Sequence, residues 1–341
     1  MDTPSITKQL LWSFYQRGNA EPQRIPELAA ALLHTETRWH GFAPLGHLRG
    51  AKEVIARFWK PLISAIPDLQ RRPYILIAGS FEGRDWVAST GDFIGSFVKD
   101  WLGIPASGSS VHFRYGAFYR LEGDRVVETR LLVDLLELAR QAGFELWQGP
   151  GLTQWVPGPL QGDGVLLGSQ RPSESKRTLE LVEAMIFKGL NSYDQQDQAS
   201  QRLERYWHPH MVWHGPVGIG SAYGLADFKR HAQGPIVHAF PDRKGAGHKA
   251  RLAEGRFAAS TGWPSLVGTH QRDFLGWAPT GEKVGWNIMD FWRREADKLL
   301  ENWVLIDLVD AGLQSGIDLL AQLALKDANS QKRRAPKRPP S

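Results

Sequence analysis

Residues 297–307 read DKLLENWVLID and residues 124–134 read DRVVETRLLVD. Each run opens on Asp, carries Glu at its fifth place and Asp at its eleventh, and fills the rest largely with strand-forming residues. The same landmarks recur upstream of both runs. Trp39-His40-Gly41 matches Trp213-His214-Gly215, Ile66-Pro67-Asp68 matches Phe240-Pro241-Asp242, Thr90-Gly91 matches Thr261-Gly262, and Leu102-Gly103 matches Leu275-Gly276. His40 and His214 are 174 residues apart, and Asp134 and Asp307 are 173 apart. Solenoid units repeat every 20 to 50 residues or so, so a period this long is a whole domain written twice.

The 341 residues suffice for two domains, each burying its own core. The boundaries read as 1–145 and 175–326 for the domains, 146–174 for a linker and 327–341 for a basic tail. Within the linker, residues 149–172 hold ten Gly or Pro together with Trp155, Val156, Leu160 and Val165, so the segment is expected to lie on one or both domains. Five of the tail's residues, Lys332, Arg333, Arg334, Lys337 and Arg338, equal the whole formal charge of +5, which leaves the folded part neutral. The tail reads as a disordered, solvated end, and no nucleic-acid partner is expected. Zero cysteines exclude disulfides, thiolate metal sites and Cys nucleophiles. With neither a signal-peptide pattern at the start nor a run of about 18 apolar residues, the expectation is a soluble cytoplasmic protein without a membrane partner.

Helical spacing appears over 5–18 (Leu10, Leu11, Phe14, Tyr15) and 51–65 (Val54, Ile55, Phe58, Trp59, Leu62). The period then changes to two over 72–79, 84–98, 110–121 and 124–134, with Glu122-Gly123-Asp124 as a hairpin turn. The second copy repeats the order, with helices over 175–193 and 225–238 and strands through 248–307. Helices leading into a bent antiparallel sheet give an α+β class.

This pattern resembles the nuclear transport factor 2-like (NTF2-like) cone fold. Its motifs narrow the resemblance to the SnoaL-like polyketide cyclases: Trp207-His208-Pro209, Trp213-His214-Gly215, Gly268-Thr269-His270, Phe274-Leu275-Gly276, the Thr280–Val284 stretch and 297–307 in the second copy, with a thinner set in the first. The resemblance implies two tandem cone domains packed as an intrachain pseudo-dimer, and leaves open a further homodimer of chains. It also implies an acid/base Asp on the last strand, acting without metal or cofactor. That position falls on Leu131 and Val304, and the family's pocket His falls on Ala117 and Asp290.

Alternation puts Trp286, Ile288, Asp290 and Trp292 on one strand face. A carboxylate among large apolar groups has its pKa raised by desolvation, which makes Asp290 a candidate general acid or base. His214 and His270 join it as catalytic candidates, because imidazole titrates near neutrality. Asp307, His40, Tyr115 and Tyr119 are candidates for lining substrate pockets, alongside Trp286, Ile288 and Trp292. His208-Pro209-His210 lacks a third ligand, so no metal site is expected. The copies are expected to be unequal: the second keeps His214, Asp290 and His270, whereas Ala117 and Phe97 stand at two of those places in the first. The functional expectation is cofactor-independent acid/base chemistry (cyclase, isomerase or hydrolase) on a small apolar carbonyl compound in the second pocket. The alternative is a non-catalytic small-molecule binding protein.

Overall fold

The computed structural model describes residues 3–144, 151, 155–191 and 201–322. The tail over 327–341 lies outside them. The first repeat runs α1 (Thr3–Ala20), α2 (Ile25–Leu32), β1 (Leu33–Gly41), β2 (His47–Arg49), α3 (Ala51–Val54), a π-helical turn (Ile55–Trp59), α4 (Lys60–Ala65), β3 (Gln70–Phe81), β4 (Arg84–Ser96), β5 (Ser110–Glu122), β6 (Arg125–Val133) and α5 (Leu135–Gln141). The second runs α6 (Pro172–Ala184), continued by a π-helical turn (Met185–Leu190), then β7 (Trp207–His214) and β8 (Ser221–Tyr223). There follow α7 (Leu225–Asp227), another π-helical turn (Phe228–Gln233), α8 (Gly234–Ala239), β9 (Lys244–Gly245), β10 (Ala250–Glu254), β11 (Phe257–Thr269), β12 (Lys283–Glu295), β13 (Lys298–Ile306) and α9 (Leu308–Gln314). Strand order is β2-β1-β6-β5-β4-β3 in one sheet and β8-β7-β13-β12-β11-β10 in the other, with β9 also on β11, so the two copies have the same topology.

Several elements depart from the sequence reading. The stretches over 51–65, 175–193 and 225–238 each contain a π-helical turn rather than being one regular helix. Residues 25–41, which show no clear period, form α2 and β1, and β1 pairs parallel with β6 while β7 pairs parallel with β13. The sheets are therefore antiparallel-rich rather than purely antiparallel meanders. β1 is hard to read because its buried residues, Leu33, Thr37, Trp39 and Gly41, are interleaved with polar ones on a nearly exposed strand.

Period-2 alternation gives each long strand two buried faces. On β12 one face carries Met289 and Phe291, which meet the first repeat: Phe118 and Phe291 rings lie 5.7 Å apart. Gly116 makes the close approach possible, since a Cβ there would sit 3.0 Å from Leu305 Cδ1 and Met289 Sδ. The two sheets thus pack against each other through these faces, leaving the opposite faces for the helices of their own repeats. The linker lies in the same seam: Leu76 N donates to Gly164 O at 2.9 Å, Leu166 N to Leu76 O at 3.0 Å, and Trp303 Nε1 to Pro157 O at 2.8 Å. A buried ion pair joins Lys8 of α1 to Glu254 of β10, whose second oxygen accepts from Ala78 N.

The two aspartates that close the repeats hold the seam symmetrically. Asp134 caps α5 by accepting from Glu137 N, and Asp307 caps α9 by accepting from Asp310 N. Each then reaches into the other repeat. Asp134 Oδ2 accepts from Val217 N and Asp307 Oδ2 from Ala43 N, both at 2.9 Å.

Candidate functional site

The second repeat encloses a cavity of about 550 Å³, within the usual range for small-molecule pockets. Ile186, Trp207, Trp213, Phe228, Trp292 and Val304 supply apolar wall. The polar lining comprises Asp290, Asn302, Ser260, Ser265, Gln233, His248 and Asn191, with two cations, Arg243 and Lys244, also on the wall. Asp290 stands in mid-strand with Ser260 on one neighbouring strand and Val304 on the other. Its remaining accessible surface faces the cavity that it lines. Desolvation pushes its carboxyl up to about 7, opposed by the Asn302 Nδ2 donor at 3.4 Å. Asn302 is itself held by Phe291 O at 3.0 Å, so the amide's orientation is fixed by the strand.

Of the residues singled out from sequence, Asp290, Ile288 and Trp292 line this cavity. The others are elsewhere. Trp286 is buried in an aromatic cluster with Phe240 and Phe274. His270 stacks on Phe240, its ring centroid 5.2 Å away, with Nδ1 at 3.2 Å from Thr280 Oγ1, and burial lowers its pKa. His214 is on the opposite face of β7 from Trp213, stacked on Trp303 in the seam with Ser221 Oγ at 3.4 Å. Desolvation and the Arg114 charge lower its pKa to about 3, so it is a neutral packed imidazole. His40 lies at the seam too, its ring 6.4 Å from Trp263, and its pKa falls to about 4 through desolvation and the Arg130 charge. Asp307, with its carboxyl pushed to about 7 by burial and by Asp310, is engaged by Asp310 N and Ala43 N rather than by the cavity.

His248 is the group sequence reasoning missed. It lines the cavity with a buried Nδ1 that has no hydrogen-bond partner, and desolvation and then the Arg251 charge lower its pKa to about 4. It precedes β10 in a Gly-rich turn without periodicity, so only the folded chain brings it to Asp290's cavity. Among the described residues, no group of three or more His, Asp or Glu is placed to hold a metal ion. No helix there is long and apolar enough to cross a membrane.

The cavity described in the first repeat is far smaller, about 30 Å³. Tyr119 lines it, and Tyr115 lies beside it with its hydroxyl 3.0 Å from Ser89 Oγ. Arg71 fills the centre. Its guanidinium carbon lies 4.0 Å from the Tyr115 ring centroid and 4.1 Å from that of Tyr15, and Nη2 donates to Tyr119 Oη at 2.8 Å. The position equivalent to Arg71 is Gly245. Arg71 pairs with Phe93 and Gly245 with Leu266, each three residues after an Asp that accepts from the next strand, Asp68 from Ser96 N and Asp242 from Thr269 N.

Both repeats match the family model for SnoaL-like polyketide cyclases, over residues 12–142 and 190–315. The chain belongs to that family. Similar solved structures include a SnoaL-like polyketide cyclase from Jannaschia sp. CCS1, with 19% identity and a TM-score of 0.36 over 42% of this chain and 95% of that one. AclR from Streptomyces galilaeus has 24% identity and a TM-score of 0.34 over 42% and 97%. TsrD from Streptomyces laurentii has 26% identity and a TM-score of 0.35 over 42% and 98%. No curated protein matches the chain.

Proposed function

We propose that this SnoaL-like protein is a cofactor-independent acid/base enzyme acting on a small apolar carbonyl compound in the second repeat's cavity, with Asp290 moving the proton. One observation carries the reading: a carboxyl raised to about 7 stands in a predominantly apolar cavity of about 550 Å³. A general acid/base works best with a pKa near the operating pH, because both protonation states are then populated. In an aldol-type closure the ionised Asp290 takes the proton from the carbon next to a carbonyl. The resulting enolate carbon attacks the second carbonyl, and Asp290 returns the proton to the new alkoxide oxygen. In an isomerisation the same proton returns to carbon. Asn302 and Ser260, adjacent to Asp290 in the sheet, are the donors nearest the developing oxyanion, and the neutral His248 supplies a further polar contact.

The family's own acid/base place is Val304, directly across the ladder from Asp290. This supports a carboxylate relocated to the adjoining strand. It equally motivates the second reading, a binding protein whose chemistry is gone. Mass spectrometry of compounds that co-purify with the protein identifies the ligand, and solvent deuterium exchange at its acidic C–H positions separates the readings. Exchange by wild type that Asp290→Asn loses is the expected result. Tight binding with no exchange or turnover by either protein gives the binding-protein reading instead.

A further inference from the structure

The first repeat's small cavity is unusual for its unsatisfied donors. Arg71 is 5% exposed, and its Nε and Nη1 have no hydrogen-bond partner. Thr37 Oγ1, Trp39 Nε1 and Thr129 Oγ1 are likewise buried without partners, and all four residues line the cavity. Buried polar groups in folded proteins are nearly always paired, and an unpaired buried cation is the most costly exception. Four orphaned side chains around one hole, one of them a permanent cation, are therefore a site whose partner is an acceptor. Arg71 has only neutral hydroxyls and aromatic faces about it: Nη2 donates to Tyr119, and Tyr15, Tyr115, Tyr119 and Phe93 present their rings. The described ion pairs include no carboxylate partner for Arg71. Burial holds the Tyr15 hydroxyl well above the usual phenol range and raises that of Tyr115, so both stay neutral and leave the charge uncompensated.

We infer that the first repeat binds a small carboxylate anion in the cavity where Arg71, Thr37, Trp39 and Thr129 converge. The residual space of about 30 Å³ holds two to three water molecules, at roughly 10–15 Å³ for each, so the group that enters is on the scale of a carboxylate head. The remaining wall, Phe14, Leu32, Val54, Phe58 and Leu131, is apolar and leaves room for at most a methyl group on that acid. The second repeat lacks this arrangement, because Gly245 stands in the place of Arg71.

The test is thermal unfolding of the full chain with formate and acetate, against sodium chloride at equal ionic strength. The expected result is a rise in the unfolding midpoint of about 2–4 °C at saturating acid over the chloride control. Arg71→Met should lose that rise. Should Arg71→Met not fold, Thr129→Val, which keeps the side-chain shape, should weaken acid binding about tenfold in a calorimetric titration. The same acid response in Asp290→Asn keeps this site separate from the proposed chemistry of the second repeat. A wild type indifferent to every acid tested, a chloride effect as large as that of the acids, or an undiminished response in both Arg71→Met and Thr129→Val overturns the inference.

Discussion

Tyr115, Ala117 and Tyr119 occupy in β5 the places that Ile288, Asp290 and Trp292 occupy in β12, and Arg71 occupies the place of Gly245. These substitutions, with Phe58 and Trp59 answered by Ala232 and Gln233, invert the character of the interior on one scaffold. The first repeat has a buried cation, three tyrosines and almost no free volume. The second has a carboxyl near neutrality, and a cavity that a long side chain from position 245 no longer fills. The seam between them shows the opposite behaviour. Asp134 and Asp307 make matched bonds in both copies, because each must cap a helix and hold the other repeat's loop at once. Positions that maintain the pseudo-twofold seam remain alike, and positions that face the interiors diverge.

The largest effect expected from breaking this contrast is chemical. Asp290→Asn should reduce proton exchange or turnover by about 10²–10⁴-fold at saturating compound, read by single-turnover kinetics. Residual activity within a few-fold of wild type would remove Asp290 from the mechanism. The same carboxyl should also mark stability. It keeps its proton to about pH 7 when folded but releases it near 3.8 when unfolded, so between those values the folded state holds more protons and stability falls as pH rises. Asp290→Asn should therefore be more stable than wild type at pH 8, by on the order of 3–4 kcal/mol, with the advantage vanishing toward pH 4. Denaturant titrations at several pH values check this, and a difference independent of pH would place Asp290 in water rather than in the cavity.

At the seam, Asp134→Ala and Asp307→Ala should each cost about 1–3 kcal/mol, through a lost cap and an unpaired backbone N–H in the other repeat. Asp134→Ala should cost the more, since it also removes the carboxylate that pairs with the buried Arg114. The comparison fails if one substitution is silent, which a denaturant midpoint measured for each variant would reveal. The smallest effect is expected at His270, which packs on Phe240 where the first repeat has Phe97. His270→Phe should change stability by less than about 1 kcal/mol, since the lost Thr280 contact is offset by better apolar burial, and should leave any exchange activity intact. A large loss of exchange in that variant would return His270 to the candidate site.

The sequence alone determined the duplication, the α+β class, the family resemblance, and the strand face that carries Ile288, Asp290 and Trp292. These depend on spacing and alternation, which are local and survive in the linear chain. It could not separate His214, His270, Trp286 and Asp307 from the site, because facing a cavity, a seam or an aromatic cluster gives the same period-2 burial in a strand covered on both sides. Nor could it find His248 or Arg71. The first comes from an aperiodic turn, and the second is a charged residue in a strand pattern that reads as surface. Their surroundings are set by strand register and by the helices laid across each sheet, which bring groups far apart in the chain around one hole. Only the tertiary structure decides which hole stays open, since that depends on the summed volume of side chains from several elements, among them Arg71, Phe58 and Trp59 in the first repeat and Gly245, Ala232 and Gln233 in the second.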